Sequence, residues 1–182
     1  MALTVTTLRI PGVLLLSPTC HEDQRGYFME TYKRSAYERA GIRDTFVQEN
    51  QSRSTRGTLR GLHFQRAPKA QAKLVRVIAG EIFDVAVDIR PGSATFGHWV
   101  GAALSAENRQ TMYVPEWCAH GFCVLSEDAE VLYKTTAEYA PELEGGIAWD
   151  DPALGITWPI ADPILSERDR RWPSIGTVLK HP

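Results

Sequence analysis

From Leu74 to Thr136 the chain is patterned as strands. In residues 81–89 (EIFDVAVDI), Phe83, Val85, Val87 and Ile89 alternate with Asp84, Ala86 and Asp88, the period of two of a β-strand. One face is wholly apolar and the other small and acidic. Short β-rich runs follow at residues 99–104, 111–114, 121–125 and 130–136, separated by turn signals such as Pro91-Gly92-Ser93. Strands at this spacing predict a sandwich or jelly roll. A helix over residues 35–40, ended by Gly41, and a capped helical turn over residues 166–171 are predicted at the periphery.

No internal repeat, low-complexity tract or linker divides the sequence, and its 11 prolines are dispersed. With 182 residues and 43% hydrophobic content, the expectation is a single domain over residues 1–182 with one core. A net charge of -2 gives no broad basic field for nucleic acid or an anionic membrane surface. Any anionic ligand must therefore meet local arginines and lysines. Cys20, Cys118 and Cys123 are odd in number and lack metal-finger or C-x-x-C spacing, and they read as small buried thiols. The apolar run at residues 13–16 lies between Pro11 and Pro18 with no basic segment before it, which argues against a secretory signal or a membrane span. A cytoplasmic protein is expected.

The run RGLHFQ, residues 60–65, carries the densest chemistry, with a guanidinium three residues from an imidazole and a glycine between them. His21, His98 and His181 occupy polar or terminal surroundings, whereas His63 and His120 lie in apolar, glycine-containing strand contexts. These two are the candidates, against the alternative of core histidines with satisfied hydrogen bonds. In a regular strand Arg60 and His63 would point to opposite faces. If both serve one pocket, Gly61 must mark a bulge or twist. Lys73, Asp84, Tyr133, Lys134 and Asp169 supply further candidates at a barrel mouth. A metal centre is not expected, because Gln65 stands where a second ligand would be needed, and Arg66, Lys69 and Lys73 suit an anion or oxyanion. Taken singly, PEWCAHGF reads as a turn and core strand, Tyr133-Lys134 as a strand dipeptide, and residues 23–26 as a surface turn.

In order, DQRGYFMETY, FVQENQSRS, RGLHFQ, AQAKLVRVIAGEIFDVAVDIRPGSATFGHW, LSAEN, AHGF, YKTTAEYAPELEGGIAWDDPALGITWP and LSERD make a series that resembles the dTDP-4-dehydrorhamnose 3,5-epimerase family over nearly the whole chain. The resemblance implies a mainly β, cupin-type double-stranded β-helix (jelly roll), and a homodimer in which an N-terminal segment completes the neighbour's pocket. It implies no metal or other cofactor. The substrate would be a nucleotide-diphosphate sugar, dTDP-4-keto-6-deoxy-D-glucose, inverted at C3 and C5 to dTDP-4-keto-L-rhamnose through an enolate. By the same match His63 is the base, Asp169 its partner, Lys73 the stabiliser of the C4 oxygen, and Tyr133 the acid on the opposite face. Arg25, Phe28, Glu30, Gln48, Asn50, Arg60, His120, Tyr139, Glu144 and Arg168 would contact nucleotide or sugar, Arg25 and Glu30 from the partner subunit. Asp84 is matched to His120 as either a second acid–imidazole pair or a structural hydrogen bond.

Two departures from the family pattern stand out. Trp117 and Cys118 replace the glycine and aromatic of PEGFAHGF, which predicts an indole near the pocket mouth, and Arg168 replaces a usual lysine. A single-centre epimerase for another deoxysugar pathway and a non-enzymatic sugar-nucleotide-binding cupin remain as alternatives.

Overall fold

A computed structural model describes residues 2–178. Thirteen strands occur among the described residues: β1 (Leu3–Thr7), β2 (Leu14–Pro18), β3 (Cys20–Asp23), β4 (Gly26–Met29), β5 (Gln48–Thr55), β6 (Leu59–Gln65), β7 (Lys73–Ala79), β8 (Glu81–Asp88), β9 (Trp99–Ser105), β10 (Thr111–Val114), β11 (Cys118–Val124), β12 (Asp128–Thr135) and β13 (Glu144–Gly146). All pairings between them are antiparallel. One sheet runs β1-β2-β10-β7-β12-β5 and the other β13-β6-β11-β8-β9, while β3 and β4 form a separate hairpin. This is the mainly β, jelly-roll architecture expected.

The core lies between the two large sheets. Val75, Val77, Met112 and Val131 from one pack with Ile82, Ala86, Leu104, Phe122 and Val124 from the other. The second face of the five-stranded sheet is covered as well. There Leu62, Val85, Val87 and Ala119 pack under Ile147, Leu154 and Ile175 of the C-terminal segment. The apolar face of β8 therefore points outward, beneath that cover, and its small acidic face points into the barrel. Asp84 and Asp88 are both fully buried. Asp88 is compensated by the backbone N–H and guanidinium of Arg90 and by the hydroxyls of Ser93 and Thr95, which hold its carboxyl far below the ordinary carboxylate range against burial. It pins the loop that joins β8 to β9.

Helix α1 (Arg34–Arg39) sits close to its expected place. At the C-terminal end, Ser166 Oγ accepts the N–H of Asp169 at 3.0 Å and starts a 3-10 turn over Asp169–Arg171. Strand β11 begins at Cys118, three residues before the predicted run. Six strands lie ahead of Leu74, where periodicity predicts none. Of the three cysteines, Cys118 and Cys123 are buried, whereas Cys20 is half-buried in the hairpin. His181 lies outside the described residues. No described helix is long and apolar enough to cross a membrane.

Candidate active site

The site is built on an irregularity in β6. Across β6 and β11, His63 pairs with His120, and Arg60 pairs with Phe122, so Gly61 and Leu62 together oppose Gly121. This is a β-bulge, as the RGLH spacing requires. The extra residue breaks the alternation, and Arg60 and His63 come to line one cavity. Glycine is needed at the crossing. Gly61 has φ +137°, and a Cβ there would lie 2.5 Å from the Cα of Gly121.

The cavity, about 400 Å³, opens at the polar end of the barrel, with Arg60, His63, Lys73, His120, Tyr133 and Asp169 in its wall. A second lobe of about 390 Å³ shares His63, Lys73, Tyr133 and Arg168 and adds Gln48, Asn50, Tyr139 and Glu144. Together they form a two-lobed cleft of small-ligand size. His63 and His120 come from the five-stranded sheet, Lys73 and Tyr133 from the six-stranded sheet.

His63 Nε2 lies 2.5 Å from Asp169 Oδ1. Burial pushes the Asp169 carboxyl up, but hydrogen bonds from His63 and its neighbours outweigh this and leave it below its ordinary value. An ionised Asp169 accepts a hydrogen bond from Nε2–H, which leaves Nδ1 of the neutral ring unprotonated and able to take a proton. Trp172 Nε1 donates to the same Oδ1 at 3.2 Å. A second pair lies beside the first. His120 Nε2 is 2.7 Å from Asp84 Oδ1, and burial, with Lys73 and His63 nearby, lowers the imidazole's affinity for a proton more than Asp84 raises it. His120 is therefore held neutral at neutral pH.

Lys73 is buried at the start of β7 and makes no hydrogen bond to a described side chain. Burial lowers it from 10.5 to about 8, with Asp84 and Glu144 opposing the shift. The Asp84 oxygen that does not face His120 is buried and unpaired. Tyr133 is pushed up by burial, while Arg60 and Arg168 pull the other way, so the phenol keeps its proton at neutral pH. A ketone oxygen in this cleft would meet an ammonium, with an uncharged phenol in one wall and an imidazole in the other.

In the second lobe Glu144 accepts from Arg168 at 2.6 Å and from the Tyr139 hydroxyl at 3.0 Å. Gln48 accepts the Tyr139 N–H at 2.9 Å and donates to Asn50 at 2.9 Å. Arg60 is oriented by Ser54 Oγ at 3.0 Å. These residues are brought together as the sequence suggests. Arg25, Phe28 and Glu30 are not part of this cleft: they sit on or beside the β3–β4 hairpin, Arg25 paired with Asp23, Glu30 3.8 Å from Lys33, and Phe28 67% exposed.

The predicted indole at the pocket mouth is corrected by the structure. Trp117 stacks under the Arg90 guanidinium, 3.5 Å from its ring centroid, and packs against Gly12 and the core, outside the cleft wall. Cys118 faces the same core, where burial raises its thiol. Trp117 and Cys118 are thus packing changes away from the cleft, whereas Arg168, the other departure, lies in its wall. Conversely, Thr58, Ile164 and Leu165 line the cleft and Ser54 and Trp172 bond to Arg60 and Asp169, although the sequence pattern assigns none of them a role. A bridge between Thr58 and Ile164 seats the C-terminal segment beside β6, a long-range contact that no local pattern signals.

Among the described residues no three His, Cys, Asp or Glu side chains converge as a metal set. The family model for dTDP-4-dehydrorhamnose 3,5-epimerase matches residues 7–176. A dTDP-4-dehydrorhamnose 3,5-epimerase from Pseudomonas aeruginosa is 57% identical over 168 residues, covering 91% of this chain and 92% of that one. The crystal structure of a dTDP-6-deoxy-D-glucose-3,5-epimerase from Legionella pneumophila, in complex with dTDP-4-keto-L-rhamnose, superposes with a TM-score of 0.93 at 45% identity, covering 97% of this chain and 94% of that one. A 3'-monoepimerase from Streptomyces bikiniensis, bound to dTDP-quinovose, gives 0.89 at 35%, covering 95% and 88%. By sequence and by fold alike, the chain belongs to the dTDP-4-dehydrorhamnose 3,5-epimerase family.

Proposed function

We propose that the chain epimerises dTDP-4-keto-6-deoxy-D-glucose at C3 and C5, giving dTDP-4-keto-L-rhamnose, with His63, Asp169, Lys73 and Tyr133 as its catalytic set. The observation that carries this reading is the opposition of an imidazole on one sheet, paired with the Asp169 carboxylate of the C-terminal turn, to a protonated phenol and a buried ammonium on the other sheet, around one cavity.

The C4 ketone acidifies the hydrogens on C3 and C5, because the electron pair left on carbon delocalises onto oxygen. His63 Nδ1 takes the proton, the C–H electrons form the C3–C4 or C4–C5 double bond, and the carbonyl becomes an enolate. Asp169 accepts the Nε2–H and stabilises the imidazolium. Lys73 faces the developing oxyanion, where a water-poor wall makes its charge count for more. Tyr133 then delivers its proton to the other face of the carbon, and the enolate collapses to the ketone. Exchange with water removes the proton from His63 and returns one to Tyr133. Arg60 and the Glu144–Arg168–Tyr139 group are assigned to the diphosphate and nucleotide in the adjoining lobe.

A homodimer in the cytoplasm is part of this reading. The β3–β4 hairpin holds Arg25, Phe28 and Glu30 away from the cleft of its own chain and leaves Tyr27 59% and Phe28 67% exposed, which favours a role in a neighbouring cleft.

The test is proton NMR of the 4-keto sugar nucleotide in deuterated water. Deuterium entering C3 and C5 with inversion, abolished by His63→Ala, supports the double epimerase. The fold shared with a 3'-monoepimerase favours a second reading, in which only one centre is labelled. Absence of exchange with wild-type protein would overturn both.

A further inference from the structure

Behind His63 and Asp169, outside both lobes of the cleft, lies an indole that the catalytic assignment leaves unused. Trp172 Nε1 donates to Asp169 Oδ1 at 3.2 Å, the same oxygen that faces His63 Nε2 at 2.5 Å. Its ring meets the imidazole edge-on, with centroids 6.1 Å apart and planes at 70°. The seat is shaped for it, since a Cβ on Gly146 in β13 would overlap the indole, and Gly146 is the register partner of His63. One ring thus bears on the glycine opposite the base, on the imidazole ring itself, and on the base's partner oxygen.

We propose that Trp172 is a positioning residue that sets the strength and orientation of the His63 base by sharing Asp169 Oδ1 with it. The inference rests on His63 being the base. A carboxylate oxygen with two donors is less basic than one with a single donor. With the indole in place Asp169 holds the imidazolium less tightly, and the Nε2 proton stays on nitrogen through the cycle. The edge contact also restrains the ring that Asp169 alone would leave free to pivot. Trp172 is absent from the wall of the cleft, so it acts on turnover only through the pair and leaves substrate binding alone.

The experiment is the pH profile of C3 and C5 deuterium exchange by Trp172→Phe, beside wild type. Phenylalanine keeps a ring over Gly146 and removes only the donor. Asp169 becomes the stronger acceptor, the imidazolium keeps its proton to higher pH, and the acid limb of kcat/KM should move up by about half a pH unit with KM unchanged. A packing role alone would lower melting temperature or specific activity and leave the limb where it was, and that result overturns the proposal. Should Trp172→Phe fail to fold, protein grown with 5-fluorotryptophan keeps the shape and sharpens the acidity of the N–H. The limb should then move down, and a limb coincident with wild type counts against the proposal. Wild-type protein without exchange would sink the epimerase reading itself, whereas normal wild-type exchange with an unmoved limb sinks only the role of Trp172.

Discussion

Replacing Lys73 with methionine should abolish turnover and make the protein more stable. The ammonium is buried and its proton affinity has fallen from 10.5 to about 8, after the attractions of Asp84 and Glu144 are included. Each pH unit of such a shift is about 1.4 kcal/mol of differential stability, so holding Lys73 charged costs the fold about 3 kcal/mol at pH 7. The sign follows from proton counting. Between pH 8 and 10.5 the unfolded chain binds a proton at this lysine that the folded chain does not, so wild-type stability rises with pH through that window. Methionine fills a similar volume with no charge, and the advantage of Lys73→Met should be about 3 kcal/mol near pH 7 and vanish above pH 10.5. For a chain of this size the neutral-pH difference corresponds to roughly 6 to 12 °C in Tm. Denaturant titrations of both proteins at several pH values from 7 to 11 measure it. Taking the difference removes the common alkaline titration of Tyr37, Tyr113, Cys118 and Cys123, whose burial raises them in both proteins. A variant no more stable than wild type at pH 7.5, or a difference flat in pH, would refute the account of Lys73 as a charge held at the expense of the fold for the sake of an oxyanion.

Tyr133→Phe should leave stability within about 1 kcal/mol of wild type, since the hydroxyl bonds to no described residue, yet cost roughly 10² to 10⁴ in inversion, with some deuterium exchange at the His63 face surviving in NMR. Asp169→Asn should lower kcat roughly a hundredfold with little change in KM, because an amide cannot stabilise the imidazolium; steady-state kinetics with unaltered kcat would remove Asp169 from the pair. Gly61→Ala should destabilise by about 3 kcal/mol or more in urea melts, through the left-handed φ and the overlap with Gly121, and a folded, active variant would mean the bulge is not what orients His63. Phe28→Ala should raise KM and leave kcat, and sedimentation of wild type should give twice 20.3 kDa if the hairpin serves a neighbouring copy.

The strands from Leu74 onward were legible because they face a dry core on at least one side, and alternation survives there. The helix ended by Gly41 and the Ser166-capped turn were legible from terminal chemistry alone. Strand β5 was not. Its inward positions, Gln48, Asn50, Ser52 and Ser54, are polar, and its outward ones, Glu49, Gln51 and Arg53, are charged or polar, so the period of two carries no hydrophobic signal. The apolar run of β2 lies between prolines in the six-stranded sheet and reads as too short to assign.

Of the six strands that periodicity misses ahead of Leu74, β5 and β6 are the two that line the cleft. β5 is polar on the inside because it forms part of the cleft, with Gln48 and Asn50 in its wall. β6 breaks its alternation at Gly61 because Arg60 and His63 must share that wall. The acidic face of β8 that would suit solvent is instead turned inward, where Asp84 holds His120. In each case the local rule fails where the chain gives up packing for chemistry. Lys73 fits the same pattern, as a charge at an inward position whose successors Val75 and Val77 are core. A barrel interior that is apolar at one end and carries unpaired charge, protonated phenol and two imidazoles at the other is poor packing as such. Its cost is concentrated in the residues that the proposed epimerisation would use to hold and move a proton.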